Sequence, residues 1–318
     1  MADMNRVTIT HLDVGSVASL PVRVPVVSFG SEPPILSILC GVHGDETASL
    51  MSVRRFMQLL QAEDSMEGTV RIITSANPLA QATRSRVTPS DFGNLNRTGK
   101  GKLKGRLTER LAHILFEFLR DSALVIDLHE FEMDTPTMAL HIPSHRAATG
   151  RTILENIAVF EPDFVWAIPE DPTSLVGALI ESGVAGFGVE TSDAMVMTNE
   201  IIDDVAAGLY RVAQNLGILA STPSVSPVTA YETEIIKADQ AGVWEPTSLI
   251  FAAVDETNLI GKIIPLPLLD EIPVRAPGTG RILQLARRRL VATGTNLFAI
   301  GQIDRQVTKG LRLAIPSL

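Results

Sequence analysis

The chain has 318 residues, 45% of them hydrophobic and 20% charged, enough for one large domain or two smaller ones with a full core. A net charge of −9 and an aromatic content of 5% exclude the basic footprint and stacking platforms of a nucleic-acid binder. No apolar stretch approaches the roughly 18 residues of a membrane span, the first six residues carry an acid and no apolar run, and Cys40 is the single cysteine, so a cytoplasmic protein without leader, anchor or disulfide is expected.

Residues 1–30 read as short strands punctuated by proline. Ile35 to Cys40 is a buried-type strand, and Leu50, Val53, Met57 and Leu60 follow at helical spacing. Val70 to Ser75 is a strand ending at Asn77-Pro78, after which a polar loop is expected to about Gly105. Leu107, Leu111, Ile114, Leu115 and Phe118 mark an amphipathic helix. Strand–helix alternation then continues: strands at Ala123–His129, Met138–Ile142, Phe164–Ile168 and Phe187–Glu190, and helices near 150–159, 174–182 and 202–216. Such alternation predicts an α/β fold, a mixed sheet covered by helices on both faces. A Ser/Thr/Pro-rich stretch at 220–227 reads as a linker. Beyond it, two loosely similar segments (from Ala241 and from Gly278) each read as glycine turn, strand, glycine turn, strand. The expected division is 1–221 for the α/β domain and 222–318 for a small all-β domain.

The chemistry-bearing residues fall at the carboxyl ends of strands, where ligands bind in open α/β sheets. His43 and Glu46 follow the first of these strands, Asp127 and His129 lie in another, and Glu190 ends a third. A His and a Glu three apart at a strand-to-helix junction can converge on a divalent metal, although the pair alone fits a structural role as well. Asp127 and His129, two apart on a strand, face the same way. Asp127 either orients the imidazole or is a hydrogen-bonded structural carboxylate. The segment between carries Arg84, Arg86 and Arg97, and arginine forks suit carboxylates and oxyanions. Cys40 reads as a core residue.

Taken together, Gly41-x-His-Gly-Asp-Glu46, Asn77-Pro-x-Ala80, Arg86, Asn94-Leu-Asn-Arg97, Asp127-Leu-His129 and Val189-Glu190 resemble the succinylglutamate desuccinylase/aspartoacylase family of the zinc-carboxypeptidase-like superfamily. Val274-Arg-Ala-Pro-Gly-Thr-Gly-Arg-Ile282 is similar to a strand of that family's C-terminal domain. The resemblance implies a zinc-carboxypeptidase-like three-layer domain with one Zn2+ per chain, held by His43, Glu46 and His129. It implies Glu190 as general acid/base, Arg86 as the group that polarises the scissile carbonyl, and Asn96 with Arg97 as holders of the substrate's α-carboxylate. The implied activity is hydrolysis of the amide bond of a small-molecule N-acyl amino acid. The alternatives are a carboxypeptidase-like hydrolase of short peptides or amino-acid conjugates, and a zinc-binding protein without turnover.

The sequence departs from the family pattern at two places. Asn94 stands where the family has Asp, which removes an anchor for the binding loop, and Thr98 to Arg106, rich in Gly and Lys, replaces an aromatic-Pro-Gly turn. That run is expected to be a mobile solvated loop; it is no P-loop, since Gly101 follows Lys100 where Ser or Thr is needed. Glu130, Glu132, His141 and His145 are expected to be rim or structural residues. The β domain is expected to narrow the cleft or to mediate homo-oligomerisation.

Overall fold

The computed structural model describes residues 7–169, 171–192, 197–223 and 225–314; the first six residues, read above for a leader, and Ser224 of the linker lie outside that set. In chain order the elements are β1 (Val7–Val17), β2 (Leu20–Phe29), β3 (Ile35–Leu39), α1 (Ser49–Gln61), β4 (Thr69–Ile73), α2 (Pro78–Thr83), α3 (Leu107–Leu119), β5 (Leu124–Phe131), β6 (Met138–His141), α4 (Ala147–Phe160), β7 (Phe164–Ala167), α5 (Leu175–Ser182), β8 (Ala185–Ser192) and α6 (Asn199–Asn215). The rest comprises β9 (Ala230–Lys237), β10 (Gly242–Pro246), β11 (Ala253–Val254), β12 (Leu259–Ile264), β13 (Ile272–Arg275), β14 (Gly280–Leu285), β15 (Arg289–Val291), β16 (Asn296–Ile303) and α7 (Arg305–Ala314).

Twelve strands form one mixed sheet in the order β1-β2-β4-β3-β5-β8-β6-β7-β9-β16-β14-β11, and β13-β12-β10-β15 form a second sheet. The centre, β4-β3-β5-β8, is parallel. Its strands are apolar on both faces because helices cover both: Leu124, Val125, Ile126 and Leu128 of β5 are all buried, each side chain contributing about 1.5–3 kcal/mol. Next to the edge strand β1, β2 instead alternates, with Val22, Val24 and Val26 buried between more exposed neighbours. Helices α1, α4, α6 and α7 pack on one another, as do α3 and α5, in two groups.

Beyond the linker, β9 pairs in parallel with β7, so the main sheet runs on into the C-terminal residues. These residues hold their own apolar cluster around Trp244, whose indole N–H donates to the Ala286 carbonyl at 2.9 Å. The two glycine-bounded repeats become β10/β12 and β14/β16, which go to different sheets.

Two expectations need correction. The C-terminal region is not strands alone: α7 follows β16, started by Asp304, whose carboxylate accepts from the backbone N–H of Gln306 and of Val307, each at 2.9 Å. The polar stretch from Asn77 to Gly105 is not a plain loop either. Asn77 caps α2 by accepting from Ala80 N at 3.3 Å, with Pro78 at the first helical position. Asn94 caps a 3-10 turn at Leu95–Arg97 in the same way. Both elements are too short for hydrophobic periodicity to show.

Candidate active site

β3 delivers the loop that carries His43 and Glu46. Gly44 makes the approach of that loop to α2 feasible: a Cβ there would lie 2.0 Å from the Ala80 carbonyl carbon, and its N–H donates to the Ser85 carbonyl at 2.9 Å. The same α2 segment ends in the turn that carries Arg86. One close contact thus brings two distant parts of the sequence together.

His43, Glu46 and His129 meet as expected, all three buried. Glu46 lies between the rings, with Oε1 2.7 Å from His43 Nδ1 and Oε2 2.8 Å from His129 Nδ1. The opposite nitrogen of each ring is also engaged. His129 Nε2 is 2.9 Å from Asp127 Oδ2, and His43 Nε2 is 3.2 Å from Asn94 Oδ1. These acceptors favour the tautomers that carry the proton on Nε2 and turn the Nδ1 lone pairs toward one point, the arrangement of metal-ligating histidines. Asp127 is therefore the imidazole's orienting partner. The ligand atoms of the three residues lie within 4.8 Å of one another, the metal-type cluster found among the described residues.

The electrostatics favour a cation here. Burial alone would raise the Glu46 carboxyl, but the charge and hydrogen bonds of His129 and His43 outweigh it and hold Glu46 below the usual carboxylate range. Burial likewise disfavours a charged His129, yet Asp127 and Glu46 raise its pKa well above the ordinary value. Asp127 Oδ1 and Glu190 Oε2 are buried without a hydrogen-bond partner. Glu46 and Asp127 both face the one His129 ring, which leaves negative charge to be balanced, and two imidazoles with one carboxylate suit Zn2+ with a fourth position open.

Glu190 sits on β8 directly opposite His129 in the parallel pairing. Burial pushes its carboxyl up to about 8, His129 opposing and Glu46 and Asp127 adding to the shift. A carboxyl placed this way beside a metal cluster is poised to exchange protons near neutral pH. Arg86 Nη1 lies 3.0 Å from Glu46 Oε1, with the side chain half exposed toward the cavity. Asn96 Nδ2 is 3.4 Å from His129 Nε2, and Arg97 Nη1 donates to the Asn96 carbonyl at 2.6 Å. All seven expected site residues line one cavity of about 610 Å3.

The two departures behave differently from expectation. Asn94 does anchor the binding loop: its side-chain oxygen accepts from Asn96 N at 2.9 Å as well as facing His43. An amide oxygen can accept these bonds as the family's acid would. The Gly/Lys run is not solvated along its backbone. Gly99 N donates to the Thr173 carbonyl at 2.7 Å, Lys102 N to the Glu109 carbonyl at 2.8 Å, and Gly99 has φ +54° with room for no Cβ, which would lie 2.7 Å from the Pro172 carbonyl oxygen. Glu130 is structural as expected, accepting from Ala48 N and Ser49 N at the start of α1. His141 is buried outside the cavity, and burial lowers its pKa to about 4. Cys40 is buried, which pushes its thiol up.

The C-terminal region is expected to narrow the cleft, but no local pattern marks which of its residues reach it. Arg289, Gly294, Thr295 and Asn296 line the same cavity. The segment after β5 binds them in place: Asp134 exchanges backbone hydrogen bonds with Leu285 at 3.0 and 2.9 Å and meets Arg287 at 2.7 Å.

A sequence model of the succinylglutamate desuccinylase/aspartoacylase catalytic domain matches residues 33–216, the span that carries all seven expected site residues. The chain belongs to the succinylglutamate desuccinylase/aspartoacylase family. Among curated proteins it is similar to the N-alpha-acetyl-L-2,4-diaminobutyric acid deacetylase of Halomonas elongata, 26% identical over 302 residues that cover 88% of this chain and 84% of the relative. Its fold matches the product-bound ectoine utilization protein of Ruegeria pomeroyi, with TM-score 0.83, 19% identity and coverage of 94% and 96%. It also matches a family member from Rhodobacter sphaeroides, with TM-score 0.82, 17% identity and coverage of 95% and 96%. The mixed α/β fold is thus that of this family.

Proposed function

We propose that the protein is a zinc-dependent deacylase that hydrolyses the amide bond of an N-acyl amino acid. One observation carries the reading: Glu46 is clasped between two Nδ1 atoms while the buried Glu190 carboxyl, with an unpartnered oxygen, stands opposite His129 on the next strand. The deacetylase name of the Halomonas elongata relative supports it.

His43, Glu46 and His129 would hold the zinc ion, which when bound polarises the scissile carbonyl and acidifies water at the open position. Glu190 takes the proton of the attacking water and passes it to the leaving amine, a task its raised pKa suits. Arg86 donates to the developing oxyanion, and one such donor is commonly worth about 3 kcal/mol. Asn96 and Arg97 hold the α-carboxylate of the amino acid. With no Ser or Cys among the described residues of the His43, Glu46 and His129 cluster, these groups supply the water, the electrophile and the acid that amide hydrolysis requires. Residues 222–318 act as a small domain that narrows the cleft through Arg289 and Thr295, which favours small substrates.

The test is zinc content with turnover. Purified protein should carry one zinc ion per chain and hydrolyse members of an N-acetyl and N-succinyl amino acid panel, with activity lost on chelation and restored by zinc. Stoichiometric zinc with no hydrolysis of any acyl amino acid, or hydrolysis of dipeptides alone, would overturn the proposal.

A further inference from the structure

The strand register sets Asp127, Gly188, Leu140 and Trp166 in one row across β5, β8, β6 and β7. His129 and Glu190 form the next same-facing pair along β5 and β8. Partners in neighbouring strands point to the same face, and a strand spacing of about 4.8 Å puts Trp166 roughly 14 Å from Asp127 along that row. The row therefore leads away from the His/Glu cluster, and its character changes from ionic to apolar within two strands.

Gly188 keeps the floor low, since a Cβ there would come 3.1 Å from Leu140 Cδ1. Ile142, Ile168 and Val176 line the same cavity. The Trp166 ring closes one end, edge-on to Phe131 with centroids 6.2 Å apart. Two acids elsewhere in the cavity lining have partners of their own, whereas Arg289 Nε is buried without a hydrogen-bond partner. Asp171 Oδ1 accepts from Thr173 N at 3.1 Å and from the Thr173 hydroxyl, and Glu132 faces Arg289 at 4.0 Å.

This apolar channel adjoins the carboxylate-binding pair. Leu175 N donates to Asn96 Oδ1 at 3.4 Å, and the next residue, Val176, lines the channel. A carboxylate held by Asn96 and Arg97 thus places its own α-carbon at the channel mouth, and the side chain on that carbon has the shortest way in. We infer that the site is selective for N-acyl amino acids with an apolar side chain of leucine to phenylalanine size. The inference rests on the deacylase reading. It sets this chain apart from the Halomonas elongata relative, whose named substrate carries a cationic amine on its side chain.

The zinc-loaded protein is assayed on the N-acetyl derivatives of leucine, methionine, phenylalanine, alanine, aspartate and 2,4-diaminobutyrate. Leucine, methionine or phenylalanine should exceed both charged derivatives in kcat/KM by about tenfold or more. Trp166→Ala should cut the leucine-to-alanine ratio by roughly tenfold to a hundredfold, and Ile168→Asp should move preference from leucine toward diaminobutyrate. A wild-type preference for aspartate or diaminobutyrate overturns the inference and leaves the deacylase reading standing. Since absence of all turnover would instead fault that reading, the free amino acids are also ranked by the thermal shift they give the zinc-loaded protein. Leucine and phenylalanine above the charged pair support the channel's selectivity; an equal or reversed ranking, or no binding by any, overturns it.

Discussion

His43 Nε2 lies 3.2 Å from the Asn94 side-chain oxygen, and that oxygen also accepts the backbone N–H of Asn96 at 2.9 Å. One amide oxygen therefore faces His43, a proposed zinc ligand, and caps the turn that carries Asn96 and Arg97, the pair we propose to hold the substrate carboxylate. Asn94→Ala should weaken zinc binding by about 10–100-fold in a chelator competition and raise KM as well. Asn94→Asp keeps the acceptor and should stay close to wild type in zinc affinity. Equal zinc affinity in the Ala variant would show that the contact orients nothing.

Glu190→Gln keeps the shape of the buried carboxyl and removes its proton exchange. The expected outcome is a fall in kcat of about 10²–10⁴ with zinc content and KM near wild type. Steady-state kinetics beside metal analysis checks it. A loss of zinc in parallel with activity would point to a structural role instead.

The same residue makes stability depend on pH. In metal-free protein the folded state holds the Glu190 proton up to about pH 8, whereas the ordinary value is 4.5. Its contribution is fully present below the unfolded pKa, declines as pH rises between those values, and is gone above the folded one. Denaturant midpoints of chelator-treated wild type should therefore fall relative to Glu190→Gln across roughly pH 4.5 to 8. Comparing the two proteins cancels the slope that His129, whose pKa is also raised, adds above its ordinary value of 6.5. Parallel curves would show that Glu190 is not held protonated.

The two arginines should separate kinetically. Arg97, exposed and donating to the neighbouring Asn96 carbonyl, should act on binding, so Arg97→Ala raises KM more than it lowers kcat. Arg86 reaches Glu46 at the centre of the cluster, and Arg86→Ala should lower kcat by about 10²–10³. The reverse pattern in steady-state kinetics would exchange their roles.

Gly99 docks the carboxylate-binding turn on the loop before α5. Gly99→Ala must relieve a φ of +54° and a contact of 2.7 Å to the Pro172 carbonyl oxygen. We expect a loss of about 1–3 kcal/mol in stability, read from denaturant unfolding, together with a raised KM. Wild-type stability with unaltered KM would mean the turn can move without consequence.

Much of this site is visible in the sequence because its chemistry demands particular residue types at strand ends. His43, Glu46, His129 and Glu190 are polar residues placed where buried apolar strands stop, and each strand is long enough to announce itself. Asp127 follows from alternation, since residues two apart share a face and His129 fixes which face matters. Asn94 was less legible. Its type differs from the family's acid, and only the position of its oxygen beside His43 shows that the acceptor is kept. Short elements such as α2 and the turn at Leu95–Arg97 leave no periodic signal because each is a capping side chain with one or two turns. By contrast α7, with Val307 and Leu311 one turn apart on the core, does carry helical spacing.

By itself the sequence determined the alternation of strands and helices, the family, and which titratable residues fall at the strand ends. These properties belong to residue types and their local spacing. Only the tertiary structure decided which atoms face one another: the Nδ1 atoms turned on Glu46, the row of Gly188, Leu140 and Trp166 beside the cluster, and the C-terminal residues Arg289 and Thr295 at the cavity. Those contacts join residues up to some hundreds of positions apart, brought together by strand order and register, and no local pattern in the chain encodes that order.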